Sequence, residues 1–220
     1  MKLSPANLRI EIDGLISHLI SMGICDDQNF TSIKKISKNK FEITFGGSNN
    51  LSAIFDDIDY VQIYQELKEN KSYNMKLIDG ALVQLMYSIE NNELIKHRLA
   101  FYPSPELLAF QDSADAYIQE DLYVDIVGRR IIPFPLRFDF DPNNHIDIIH
   151  PKSHLTLGDA KNCRIPLSAP VTPYRFIEFI LRNFYQTEKY DFISKLPKQK
   201  VAFSTTITNN EKNIIHMVTP

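Results

Sequence analysis

Residues 137–158, RFDFDPNNHIDIIHPKSHLTLG, hold three of the six histidines of a 220-residue chain, together with three aspartates. Imidazole and carboxylate at this density admit three readings. Asp139 and Asp141, two apart on one strand, with His145 across a turn, offer oxygen and nitrogen ligands to a divalent metal. Such a centre would suit metal-assisted hydrolysis of a phosphodiester or an amide. Without a metal, His150 or His154 would serve as general acid or base, oriented by Asp139 or Asp147, while Arg137 or Arg164 holds a phosphate. The third reading is architectural: Asp141-Pro142-Asn143-Asn144 is a turn, and the histidines satisfy backbone groups around a chain reversal.

No motif completes a specific mechanism. There is no His-Glu-x-x-His, no calcium loop and no paired-cysteine framework. Lys152 follows His150-Pro151 with no carboxylate two residues before it, so the acidic-x-Lys strand of restriction-type nucleases is missing. A glycine-rich phosphate loop, a serine elbow and an activated cysteine are missing too. Cys25 and Cys163 stand alone and far apart, as structural thiols would. The active-site candidates are therefore His150, His154 and Asp139 as catalytic groups, and Asp139, Asp141 and His145 as metal ligands. No cofactor is expected beyond a divalent metal.

The elements that position these residues are legible in outline. In LRFDFD, Leu136, Phe138 and Phe140 alternate with Arg137, Asp139 and Asp141, which puts the charged side chains on one strand face. HIDII is expected as the returning strand, with His145 and Asp147 on the face of the aspartates and His150 on the other. Beyond Pro151, His154 and Thr156 share a face, and Leu155 and Leu157 share the opposite one.

Three helix starts use one device, a capping hydroxyl before proline: Ser4-Pro5, Ser104-Pro105 and Thr172-Pro173. After the first, Leu8, Ile12, Leu15, Ile16 and Leu19 recur at helical spacing until Gly23. The second predicts a helix over 106–119, followed by a strand, YVDIVGRRI. In the third, Phe176, Ile177, Ile180, Leu181 and Phe184 fill one side, and Arg175, Glu178, Arg182, Gln186 and Lys189 form a polar stripe. That stripe offers Arg175 and Arg182 to an anion, although Glu178 lies between them at ion-pair spacing. With Arg137 and Arg164 they are the candidate anion-binding residues.

Two strands join around Lys38-Asn39, YVQIYQELKEN is a short helix, and a hairpin turns at Asn91-Asn92. His97, beside Lys96 and Arg98, is expected as a surface or cross-strand residue. A last hairpin is expected around Asn209-Asn210. The sum is an α+β protein: a mainly antiparallel sheet of hairpins with three or four packed helices, forming a single domain over residues 1–220.

Composition sets the class. The chain is 44% hydrophobic and 23% charged, the balance of a globular protein, and the apolar run of a leader or membrane span is missing. A cytoplasmic protein with no membrane contact is expected. Net charge is −3, split into −8 over residues 1–160 and +5 over 161–220. The basic C-terminal part admits a nucleic-acid partner, but it also complements an acidic body, and no basic run is dense enough for a nucleic-acid arm.

Residues 137–185, most specifically HPKSHLTLG, CRIP and FILRNFY, resemble a bacterial family catalogued as domain of unknown function 2290. The resemblance covers nearly the whole chain and implies a bacterial, cytoplasmic protein without carried-over catalytic residues. It also implies a setting among antiviral genes. Two functions are therefore expected. One is an accessory or recognition protein acting with a larger protein partner, in antiviral defence. The other is a metal-dependent hydrolase or nuclease using the Asp/His cluster of residues 139–154.

Overall fold

Ser4 and Thr172 cap their helices as expected, accepting the N–H of Asn7 at 3.1 Å and of Arg175 at 3.2 Å, each with proline in the first turn. In this computed structural model, which describes residues 3–46, 59–105, 134–158, 163–186, 191–199 and 201–219, they open α1 (Pro5–Ser21) and α3 (Pro173–Ile180). Helix α2 is Tyr60–Glu69. The helix expected over 106–119, the strand YVDIVGRRI and Lys189 lie outside the described residues.

Nine strands form one antiparallel sheet among the described residues: β1 (Cys25–Gln28), β2 (Thr31–Lys35), β3 (Lys40–Phe45), β4 (Met75–Leu77), β5 (Leu82–Glu90), β6 (Glu93–Tyr102), β7 (Leu136–Phe140), β8 (Ser153–Leu157) and β9 (Ile165–Pro166). Their order is β1-β4-β5-β6-β7-β8-β9. Strand β3, carrying β2, joins the same edge of β5 beyond β4, so one long strand anchors two ribbons. The β5–β6 hairpin turns where the sequence predicts, with Asn91 at φ 52° and Asn92 at φ 63°. The protein is thus α+β, with helices packed on an antiparallel sheet.

Period-two alternation divides the sheet's faces. On one, α1 lays Leu8, Ile12, Leu15, Ile16 and Leu19 against Val83, Leu85, Leu99, Phe101 and Phe138, and α3 adds Phe176, Ile177 and Ile180. Phe138 meets Phe176 and Phe179 edge to face at centroid distances of 5.6 and 5.2 Å, contacts worth about 0.5–1.5 kcal/mol each beyond burial. On the other face, α2 covers Leu82, Ala100 and Tyr102 with Ile63, Tyr64 and Leu67. The part of this second face on β6–β8 is polar.

Two expectations need correction. HIDII is not the returning strand; β7 pairs with β8, in the register Leu136↔Leu157, Phe138↔Leu155 and Asp139↔His154. The alternation of SHLTL matches that of LRFDF, leucines over the helices and polar groups opposite, whereas HIDII would bring three isoleucines with no core to enter. Pro142–Asn144 instead form a 3-10 turn, and Ile146 and His150 close a tight loop through paired backbone bonds of 3.0 and 2.7 Å.

Nor is there a hairpin at Asn209-Asn210. Thr208 and Glu211 bond reciprocally, side chain to backbone N–H in both directions, and so start a 3-10 turn over Glu211–Asn213. Of the two places expected for His97, surface or cross-strand, it takes the second, opposite Tyr87 and Phe140. It lies on the helix-covered face at 1% exposure and accepts the Val171 N–H at 3.0 Å.

Candidate functional site

The polar part of the sheet is built by register. Across β6, β7 and β8, Arg98, Asp139 and His154 stand in one row, and Ala100, Arg137 and Thr156 in the next. Asp139 is nearly buried, and each carboxylate oxygen accepts a guanidinium Nε–H, Oδ1 from Arg98 at 3.1 Å and Oδ2 from Arg137 at 2.8 Å. Burial pushes this carboxyl up, but the Arg98 and Arg137 charges outweigh it and hold the group below the usual aspartate range.

His154 Nε2 lies 3.9 Å from Asp139 Oδ2, too far for a hydrogen bond. Its Nδ1 stands 2.8 Å from the Pro151 carbonyl, which can only accept, so this nitrogen carries the ring hydrogen. Burial lowers the His154 pKa. The kink at Pro151 brings His150 alongside, with the two imidazoles edge to face at 4.8 Å and 68°. Asp139, His150 and His154, the catalytic candidates, are therefore neighbours. Asp139 is fully engaged by arginine, and His154 keeps only Nε2 for other chemistry.

The metal candidates Asp139, Asp141 and His145 are not gathered. Asp141 faces Lys96 at 3.1 Å and Asn144 at 3.0 Å, contacts that outweigh burial and lower its pKa. Among the described residues the three-ligand group that converges is a different one, His145, Asp147 and Glu211, with ligand atoms within 4.8 Å of one another. An imidazole and two carboxylates form a donor set fit for zinc or manganese. Most of those oxygens are already engaged, however. Asp147 accepts Thr208 Oγ1–H and Asn210 Nδ2–H, each at 2.6 Å, and Glu211 Oε2 accepts the Thr208 N–H at 2.9 Å. His145 Nε2 is 3.4 Å from Glu211 Oε1. As built, the group staples the 145–150 loop to the C-terminal segment.

The four candidate anion-binding arginines separate into two pairs. On α3 and the turn that continues it, Arg175 and Arg182 both bond Glu178, at 2.8 and 3.1 Å, which spends them locally. Arg137 pairs with Thr156 across β7 and β8, and Arg164 lies one residue beyond the last β8–β9 pair, Leu155↔Ile165. Arg164 also acts electrostatically on His154.

A protein-family model described as "Uncharacterized conserved protein (DUF2290)" matches residues 24–219. The chain belongs to the DUF2290 family. No curated protein and no solved structure matches it. The DUF2290 match takes in every described strand and both clusters described above, while the whole of α1 precedes it. Among the described residues of this DUF2290 protein, no helix is long and apolar enough to cross a membrane.

Several participants escaped the sequence reading. Arg98 joins Asp139 from a strand about forty residues away, a pairing that only the β6–β7 register creates. Thr208 and Glu211 had a visible signal, the Thr-x-x-Glu capping box, which the Asn-Asn pair inside it obscured. Cys25 is half-buried, and burial pushes its thiol up to about 12, in keeping with a structural thiol.

Proposed function

We propose that the chain is an accessory or recognition protein that acts with a larger protein partner. One observation carries this reading. Six of the eleven exposed large hydrophobic residues among those described, Ile146, Ile148, Ile149, Ile214, Ile215 and Val218, fall in two short segments. The Asp147–Thr208, Asp147–Asn210 and His145–Glu211 contacts tie those segments together. Ile149 is 68% exposed and Ile215 89% exposed, and scattered surface residues would not concentrate in this way.

The loop that holds the first three is strained. Ile148 sits at φ +67°, a left-handed conformation that a β-branched residue rarely adopts. A hydrophobic rim fixed by polar staples suits a protein surface as partner. The bacterial antiviral setting is what the resemblance of residues 137–185 implies, and it supports a search for this partner among proteins encoded beside the chain.

The hydrolase reading rests on the nearness of Asp139, His150 and His154, and two arginines on Asp139 weigh against a metal there. Recognition is the better-supported reading. To test it, the tagged chain is expressed with its neighbouring genes and purified, in parallel with the Ile149→Asp/Ile215→Asp double variant. One partner should elute in stoichiometric amount with the wild type and be lost from a variant of unchanged thermal midpoint. A wild-type chain that elutes alone, or a partner retained by the variant, overturns the proposal.

A further inference from the structure

The β6–β9 face carries more positive charge than its one buried acid balances. Arg98 and Arg137 share the single carboxylate of Asp139, and each uses only its Nε–H. Both side chains are part-exposed, at 33% and 39%, and their Nη groups have no hydrogen-bond partner among the described residues. Arg164 adds a third positive charge, with no ion pair among the described residues. The neighbouring row holds Lys96 and Asp141, which cancel each other.

Thr156 supplies the second, independent feature. It is 6% exposed, and its Oγ1 is buried with no hydrogen-bond partner. A buried hydroxyl left unpaired costs roughly 1–3 kcal/mol, so its retention asks for a reason. Register pairs it with Arg137, and Arg164 lies one residue beyond the last β8–β9 pair, Leu155↔Ile165. Arg175 and Arg182 provide the contrast, since both spend an Nη on Glu178.

We infer that Arg98, Arg137, Arg164 and Thr156 form a binding site for a phosphate group on the polar face of β6–β9. Guanidinium Nη pairs present planar, charged donors that match phosphate oxygens two at a time, and the threonine hydroxyl donates to a third. Asp139 holds two of the forks by their Nε and leaves their outer edges turned away from itself. Three arginines against one aspartate leave a surplus of two charges, suited to a phosphate dianion. The inference does not depend on the partner proposed for the rim of Ile149 and Ile215.

The test is calorimetric titration of the whole chain with three probes: inorganic phosphate, adenosine 5′-monophosphate and a short single-stranded DNA. Saturable binding of at least one is expected. Arg164→Gln should weaken it about ten-fold and Thr156→Val several-fold, while Arg182→Gln just beyond α3 should leave it unchanged. Thr156→Val deletes an unpaired hydroxyl without changing shape, so it should fold at least as well as the wild type. Thermal midpoints confirm folding of each variant. The strongest probe identifies the source, whether free phosphate, a nucleotide or a nucleic-acid backbone. Three probes without saturable heat, or Arg164→Gln and Thr156→Val binding like the wild type, overturns the proposal.

Discussion

At the scale of single residues, His97 shows how a buried ring can set a pH response. It stands between Tyr87 and Phe140, at centroid distances of 5.5 and 6.0 Å, and its Nε2 accepts the N–H of Val171 just before α3. Burial lowers its pKa to about 4 from the ordinary 6.5. The unfolded chain therefore takes a proton near pH 6.5, while the folded chain declines it until about pH 4. Stability from this group is full above pH 6.5, falls as the pH drops towards 4, and levels below that; the total is about 3 kcal/mol. His154 is shifted the same way by its own burial, so it adds to the acid slope. His97→Gln keeps an acceptor for Val171 and removes the titration. Urea midpoints measured from pH 7 to pH 4 should fall less steeply in the variant than in the wild type. Parallel slopes would show that His97 is not the group responsible.

At the scale of elements, the sequence makes visible what local chemistry decides. The Ser4-Pro5 and Thr172-Pro173 caps and the Asn91-Asn92 turn each concern a few adjacent residues, and each forms as read. The alternation Leu136, Phe138, Phe140 against Arg137, Asp139 holds for the same reason. The partner of β7 was hidden because two following segments, HIDII and SHLTL, have strand-like patterns, and only a core beneath the sheet discriminates between them. The end of α3 was hidden as well. Leu181–Tyr185 form a π turn, with Gln186 N–H bonded to Leu181 O, and this turn places the Tyr185 hydroxyl on Asp79 at 2.9 and 3.0 Å. Rejected as a strand, HIDII becomes the loop that holds Ile148 at φ +67°. A β-branched residue there carries strain of about 1–2 kcal/mol that asparagine largely avoids. Ile148→Asn should raise stability by about 1 kcal/mol in chemical denaturation, and it should weaken partner capture by removing one exposed aliphatic. A loss of stability would mean that the Ile148 side chain packs more than its 45% exposure indicates.

At the scale of the whole molecule, the C-terminal segment binds parts of the chain that are remote in sequence. Val201 N–H bonds Glu11 Oε2 on α1 at 2.8 Å, and Glu11 Oε1 accepts the N–H of Tyr174 on α3, so one buried carboxylate joins three segments. Met217 donates its N–H to Pro166 O, and its carbonyl oxygen accepts the Ser168 N–H, which extends the β9 edge, while Thr208 and Asn210 hold the Asp147 loop. None of this follows a local pattern. Every contact spans tens of residues or more, which is why the sequence offered only a hairpin here. Phe203 and Met217 pack on the core beside Val201, so the segment also covers apolar surface. A chain ending at residue 200 would lose these backbone bonds and uncover that surface. At about 1 kcal/mol for each hydrogen bond and about 2 kcal/mol for a buried aliphatic side chain, the loss exceeds about 5 kcal/mol, comparable to the stability of a whole domain. The truncated chain should lose cooperative thermal unfolding and its near-ultraviolet dichroism while keeping much of its strand signal. If it instead melts cooperatively near the wild-type midpoint, the segment is an appendage, and the rim it forms with the 145–150 loop does not require a folded body beneath it.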